Sequence, residues 1–136
     1  MGRPPLIDRE VVLAAGLAVA DEKGLDAVTM GAVATRLNVT PMALYRHVAD
    51  KADLLDGIVE LLLTEFPPPP AGSWADQLAA MAVAIRASAQ RHPSVFPLLL
   101  QRPATTSRAR LARDSVYSAL QEAGVDVARI EQAERL

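Results

Sequence analysis

Between Thr29 and Lys51 the chain reads TMGAVATRLNVTPMALYRHVADK, and few folds can hold that stretch. Thr29 is the residue type that caps a helix N-terminus. Met30, Val33, Ala34 and Leu37 follow at i, i+3, i+4, i+7 spacing, which predicts a short helix with one apolar stripe. Asn38 tolerates the left-handed backbone that stops a helix. Thr40 then caps a third helix with Pro41 at its first position, where the missing N–H costs nothing. Leu44 and Val48 face inward one turn apart. Asp50 caps a fourth helix with Leu54, Leu55, Ile58, Leu61 and Leu62 along its buried stripe. Two short helices broken at Asn38-Val39 and held by neighbours form a helix-turn-helix.

The remaining elements are also helical. Asp8 caps a first helix to about Lys23, with Val12, Ala15, Gly16 and Val19 at helical spacing and Leu13, Leu17 and Ala20 widening the apolar surface. Gly24 is placed as its left-handed stop. Pro67 to Pro70 break the pattern and predict a stiff, extended connector rather than a PxxP ligand. Ser73 caps a long helix from Trp74 to about Arg91, ended by Pro93. A short helix over Val95–Leu100 and another from about Ser107 to Ala123 follow. Asp126 caps a last one, whose periodic pattern still runs at Leu136. The expected fold class is all-α.

The chain of 136 residues has only one Trp, two Tyr and two Phe, so its core must be built from Leu, Val, Ala, Ile and Met, which suits packed helices. It has no cysteine, which excludes disulfides and thiolate metal sites. No segment has the length of a membrane-spanning helix, and MGRPPLIDRE places charges and prolines where a signal peptide needs an apolar run. A cytoplasmic protein is expected.

Net charge is −2, and residues 1–51 are balanced between Arg3, Arg9, Lys23, Arg36, Arg46, Lys51 and Asp8, Glu10, Asp21, Glu22, Asp26, Asp50. A nucleic-acid reading must therefore rest on where charges sit. Pro41, Met42, Ala43, Tyr45, Arg46 and His47 fall at or near the outer face of the third helix. Arg46 suits a guanine or a phosphate. Tyr45 and His47 suit phosphate oxygens, Met42 and Ala43 suit thymine methyls, and Lys51 and Thr29 suit phosphates. The helix opening at Thr40-Pro41 brings N–H groups and partial positive charge to the same side. The bland alternative has Tyr45 on the rim of the core and His47 as a cap, with the face serving a protein partner as a helical interaction module. Arg3, ahead of the first helix, fits either a minor-groove arm or a solvated tail.

No catalytic constellation stands out. His47 and His92 lie in different segments without a second ligand at metal spacing, and nucleotide and hydrolase motifs are absent. Glu60 and Glu65 are expected to face solvent, and His92, before Pro93, to cap or complement a helix end. The stretch AAMAVAIRASA is poor in bulky side chains, which allows close helix packing or a cavity wall.

AVADEKGLDAVTM, AVATRLNV and above all PMALYRHVADKADLLD resemble the tetracycline-repressor (TetR) family of bacterial regulators, the last through its Leu-Tyr-x-His-Val-x-x-Lys-x-x-Leu pattern. SWADQLAAMAVAIRASAQRHP is similar to a tetracycline-repressor-type C-terminal domain. The resemblance implies a three-helix DNA-binding head at 1–50, a connecting helix at 51–66, a proline-rich linker at 67–72 and the first part of a helical effector-binding and dimerisation domain at 73–136. It implies a regulator, usually a repressor, that binds a palindromic double-stranded DNA operator as a homodimer, through helices beyond residue 136, with no cofactor and no membrane. Operator-facing positions carried over are Thr29, Arg36, Thr40, Pro41, Met42, Ala43, Tyr45, Arg46, His47 and Lys51. Gly31 departs from the pattern, where many members carry a larger polar residue. Leu62, Phe66, Met81, Ile85, Phe96, Leu100 and Tyr117 are expected to line the effector site. Phe66, Pro67, Met81 and Ile85 stand where the tetracycline-binding branch has histidine and asparagine, so the resemblance implies a small apolar effector rather than magnesium–tetracycline.

Overall fold

A computed structural model of the chain describes residues 6–102 and 106–134. Helix α1 (Arg9–Lys23) starts where the Asp8 carboxylate accepts the Val11 N–H at 2.8 Å. It buries Val12, Leu13, Ala15, Gly16, Leu17, Val19 and Ala20, more than one stripe, because it lies between α2 (Met30–Leu37) and α4 (Lys51–Thr64). Gly24 ends α1 at φ 89, a backbone conformation that side chains disfavour. A 3-10 turn at Leu25–Ala27 leads on, and Val28 is fully buried.

Thr29 caps α2 by accepting the Ala32 N–H at 3.0 Å, and Asn38 stops it in the left-handed conformation at φ 55, ψ 45. Helix α3 (Pro41–Leu44) is a single turn. Two expectations fail here. The Thr40 hydroxyl makes no capping bond, since the Ala43 N–H donates to the Thr40 backbone carbonyl at 3.0 Å instead. Tyr45, Arg46 and His47 lie in the turn after α3 rather than on a longer helix. The His47 and Val48 N–H groups both donate to the Leu44 carbonyl, at 2.8 and 3.0 Å, and this tightening closes the helix.

Asp50 caps α4 through the Asp53 N–H at 2.8 Å. The helix buries Leu54, Gly57, Ile58, Val59, Leu62 and Leu63, while Leu55 and Leu61 pack half-buried at its side. A Cβ at Gly57 would fall 2.3 Å from Leu13 Cδ2, so α1 and α4 can cross this closely only because position 57 has no side chain.

Pro67–Pro70 run without helix or strand to α5 (Trp74–Arg91), which opens with a reciprocal Ser73–Asp76 capping box. Helices α6 (Phe96–Gln101), α7 (Ser107–Glu122) and α8 (Val127–Glu134) follow. Helix α5 packs on α7, and α4 meets both α6 and α7. Val95 and Leu98 are buried in the same cluster as Leu54 and Leu62, so one core runs from the N-terminal helices into the C-terminal half. Helices α5 and α7 leave Val83 70% and Leu111 67% exposed. Among the described residues no helix is long and apolar enough to cross a membrane.

Candidate nucleic-acid interface and cavity

Leu44 and Val48, both almost fully buried, anchor α3 and its turn from below. The side chains between and before them then have to project outward. Met42 is 76% exposed and Tyr45 50%; Pro41, Arg46 and Lys51 are exposed, and Ala43 and His47 are half-buried. Among the described residues Arg46 and Lys51 join no ion pair, which leaves two cations beside an apolar and aromatic surface. The helix-dipole contribution expected at Thr40-Pro41 is small, because a single turn aligns too few peptides. Arg3 lies outside the described residues.

Two sequence-derived contact residues are already engaged. The Thr29 hydroxyl accepts the Ala32 N–H in the α2 cap. Arg36 donates to Glu22 at 2.8 Å, across from α2 to α1, and holds that carboxyl below the ordinary glutamate range. Gly31 is exposed and a Cβ there would meet nothing closer than the Thr29 hydroxyl at 4.0 Å.

The arrangement also depends on residues that sequence patterning did not single out. The Arg9 guanidinium donates to both Asp53 carboxylate oxygens at 2.9 Å and to the His47 carbonyl at 2.9 Å. Asp53 accepts the Ala49 N–H as well, at 2.8 Å. The hydrogen bond from Arg9, then that from Ala49, holds the Asp53 carboxyl below its ordinary range. This clamp fastens the exit of α3 to the starts of α1 and α4. Its partners are 38 and 44 residues apart in sequence, so no local pattern could have revealed it.

Helix α4 has a second side. Val59, Leu63 and Phe66 form part of the wall of a cavity of about 830 Å³ between α4, the Pro67–Pro70 segment, α5, α6 and α7. Met81, Ile85, Phe96 and Leu100 line it too. Leu62 and Tyr117, expected on that wall, are not on it. Leu62 points into the shared core at 0% exposure, about 100° around α4 from Leu63. Tyr117 sits beside Arg113, whose guanidinium lies 5.7 Å from its ring centre. The wall further includes Gln77, Arg102, Arg108, Arg113 and Ser115, which patterning missed because they lie on turns and polar helix faces. Among the described residues no three His, Cys, Asp or Glu side chains gather as a metal site.

Polar links tie this half to α4. Arg102, after α6, donates to Asp56 and, at 3.1 Å, to the Ala52 carbonyl. Glu65 at the end of α4 is not idle in solvent: it accepts Arg91 at 2.7 Å and contacts His92 Nε2 at 3.0 Å. Partial burial opposes its charge, and the bonds from Arg91 and His92 outweigh that and hold its carboxyl below the usual range. His92 caps the end of α5 as expected, its N–H donating to the Ser88 carbonyl at 2.9 Å, and its ring also bridges from Glu65 to Asp21 near the end of α1, the latter at 2.7 Å. Glu65 remains exposed as expected, whereas Glu60 is half-buried, with one of its carboxylate oxygens covered.

The chain matches the family described as "Bacterial regulatory proteins, tetR family" over residues 12–58, and "Tetracyclin repressor-like, C-terminal domain" over residues 66–133. It is 30% identical over 88% of its length to an HTH-type transcriptional regulator of Saccharopolyspora erythraea, covering 52% of that protein. It is 29% identical over 91% of its length to the HTH-type transcriptional repressor DrrR1 of Streptomyces coeruleorubidus, covering 47% of it. The chain thus spans about half the length of these relatives. Among solved structures it is similar to BioQ with its natural double-stranded DNA operator, at TM-score 0.82 and 26% identity, covering 96% of this chain and 80% of that one. It is also similar to ActR of Streptomyces coelicolor in complex with actinorhodin, at TM-score 0.75 and 26% identity, covering 91% and 59%. A helix-turn-helix head whose fourth helix also walls a cavity, matched along both halves, places the chain in the tetR family of bacterial regulatory proteins.

Proposed function

We propose that this chain is a DNA-binding transcriptional regulator that responds to a small molecule. It acts as a repressor, binds a palindromic operator as a homodimer, and is released when an effector enters the cavity. The DNA-binding head is residues 1–50, α4 is the connecting helix, and residues 73–136 belong to the effector-binding part. One observation carries the reading: α4 buries Leu54 and Ile58 in the head core while Val59 and Leu63 wall the cavity. A shift of α4 driven from the cavity therefore moves the base on which α3 stands. The operator-bound BioQ and the actinorhodin-bound ActR support the two halves of this reading, since each is similar to most of this chain.

Pro41, Met42, Ala43, Tyr45, Arg46 and His47 enter the major groove or its rim, with Thr40 and Lys51 on phosphates. The Thr29 hydroxyl, which accepts in the α2 cap, still has its own O–H to donate to a phosphate, and Arg36 has guanidinium donors beyond the one that Glu22 takes. In a dimer the two α3 elements must sit about 34–36 Å apart to enter successive major grooves, and a moved α4 spoils that spacing. An effector shifts this equilibrium only by its differential affinity for the two states. The test is a footprint of the full-length protein on the DNA upstream of its own gene, repeated at rising salt. Protection of a palindrome that weakens steeply with salt is expected. Binding that is indifferent to salt would replace operator DNA with a protein partner.

A further inference from the structure

We infer that the cavity takes an amphipathic organic acid, an apolar body carrying one carboxylate, and that Arg108 receives the carboxylate. The inference rests on the cavity being the effector site. The walls from α4, α5 and α6 are hydrocarbon apart from Gln77 on α5: Val59, Leu63, Met81, Ile85, Phe96 and Leu99 are among them. A volume of about 830 Å³ is that of a site for a medium-sized organic molecule. The charged groups on the wall are of one sign, Arg102, Arg108 and Arg113, with no Asp or Glu among them. The sequence shows the same bias: from Phe66 to Arg113 the sole acid is Asp76, against Arg86, Arg91, Arg102, Arg108, Arg110 and Arg113.

The three arginines are not equivalent. Arg102 is satisfied by Asp56 and the Ala52 carbonyl. Arg113 lies 3.5 Å from Asp114 and over the Tyr117 ring. Arg108, in the first turn of α7, joins no ion pair among the described residues. Its planar fork matches a carboxylate in two parallel hydrogen bonds, while a quaternary amine would be repelled. Arg108 is exposed at the cavity edge, where a neutral apolar molecule would fill the walls and make no use of it.

The test uses isothermal titration calorimetry on the full chain, without DNA, with decanoate, decanol and decyltrimethylammonium below their micelle concentrations. Decanoate is expected to bind about tenfold or more tightly than decanol, and the ammonium to bind weakest. Arg108→Gln should abolish the preference for decanoate over decanol and leave decanol binding unchanged. Arg110→Gln, which makes the same change in net charge off the cavity wall, should keep the preference. Equal affinity for decanoate and decanol in the parent protein overturns the inference, as does a preference that survives Arg108→Gln or is lost equally in Arg110→Gln. DNA release is measured separately. If decanoate binds through Arg108 yet leaves operator affinity unchanged, the ligand class stands and the ligand-responsive function falls.

Discussion

Arg9→Ala separates the two things the Arg9–Asp53 clamp does. The pair is bidentate, but Arg9 and Asp53 keep 45% and 32% of their side-chain surface in solvent. Screening reduces such a pair to about 0.2–1 kcal/mol of stability, the bidentate geometry placing it toward the upper end. The melting point should therefore fall by only a few degrees, at roughly 3–5 °C per kcal/mol for a chain of 136 residues. The effect on DNA should be larger. Without Arg9 the His47 carbonyl loses its donor, and the turn carrying Tyr45 and Arg46 keeps only its bonds to Leu44. Re-ordering about one residue of backbone on binding costs roughly 1–2 kcal/mol. Operator affinity should thus weaken about 5- to 30-fold. The salt slope should not change, because the guanidinium is occupied by Asp53 and the His47 carbonyl. Fluorescence anisotropy of the footprinted operator at several KCl concentrations, beside thermal unfolding by circular dichroism, reads all three quantities. A lower melting point with unchanged operator affinity would refute the positioning role. A salt slope flatter by about one would show that Arg9 itself lies on a phosphate. Asp53 titrates below its unfolded value, so its stabilisation is complete above about pH 4 and is lost as pH falls through the folded value. The clamp should add no pH dependence to DNA binding between pH 6 and 8.

Glycines 31 and 57 should respond in opposite ways to alanine. Gly57→Ala drives a methyl against Leu13, and overpacking of about 1–3 kcal/mol outweighs up to about 1 kcal/mol of helix propensity, whereas Gly31→Ala meets open space and should stabilise by about 0.5–1 kcal/mol; urea titration of both variants checks the sign. Asn38→Val puts a β-branched residue at φ 55 and should cost about 1–2 kcal/mol, while Asn38→Gly should be nearly neutral by the same titration. Lys51→Ala should weaken DNA binding uniformly and flatten the salt slope by about one, and Arg46→Ala should cost roughly 1–3 kcal/mol with relaxed preference at one base pair; a uniform loss for Arg46→Ala across operator variants would place it on a phosphate.

The amino-acid sequence alone determined whatever depends on neighbours within about one helical turn. Asp8, Thr29, Asp50 and Ser73 cap the helices they precede, Asn38 takes the left-handed stop, and the apolar stripes of α1, α2 and α4 become the core. Local chemistry misjudged Thr40, whose hydroxyl competes with its own carbonyl for the Ala43 N–H, and the length of α3. Tertiary structure alone decided which charges remain available. Glu22 takes Arg36 from 14 residues away, Asp53 takes Arg9 from 44, and Asp56 takes Arg102 from 46. The cavity likewise combines α4 through α7, and which side of α4 faces it, Leu63 rather than Leu62, follows from where α1 has already packed. Caps and periodicity act through bonds a few residues long, whereas ion pairs and cavity walls exist only after helix packing has brought distant segments within hydrogen-bond or contact distance.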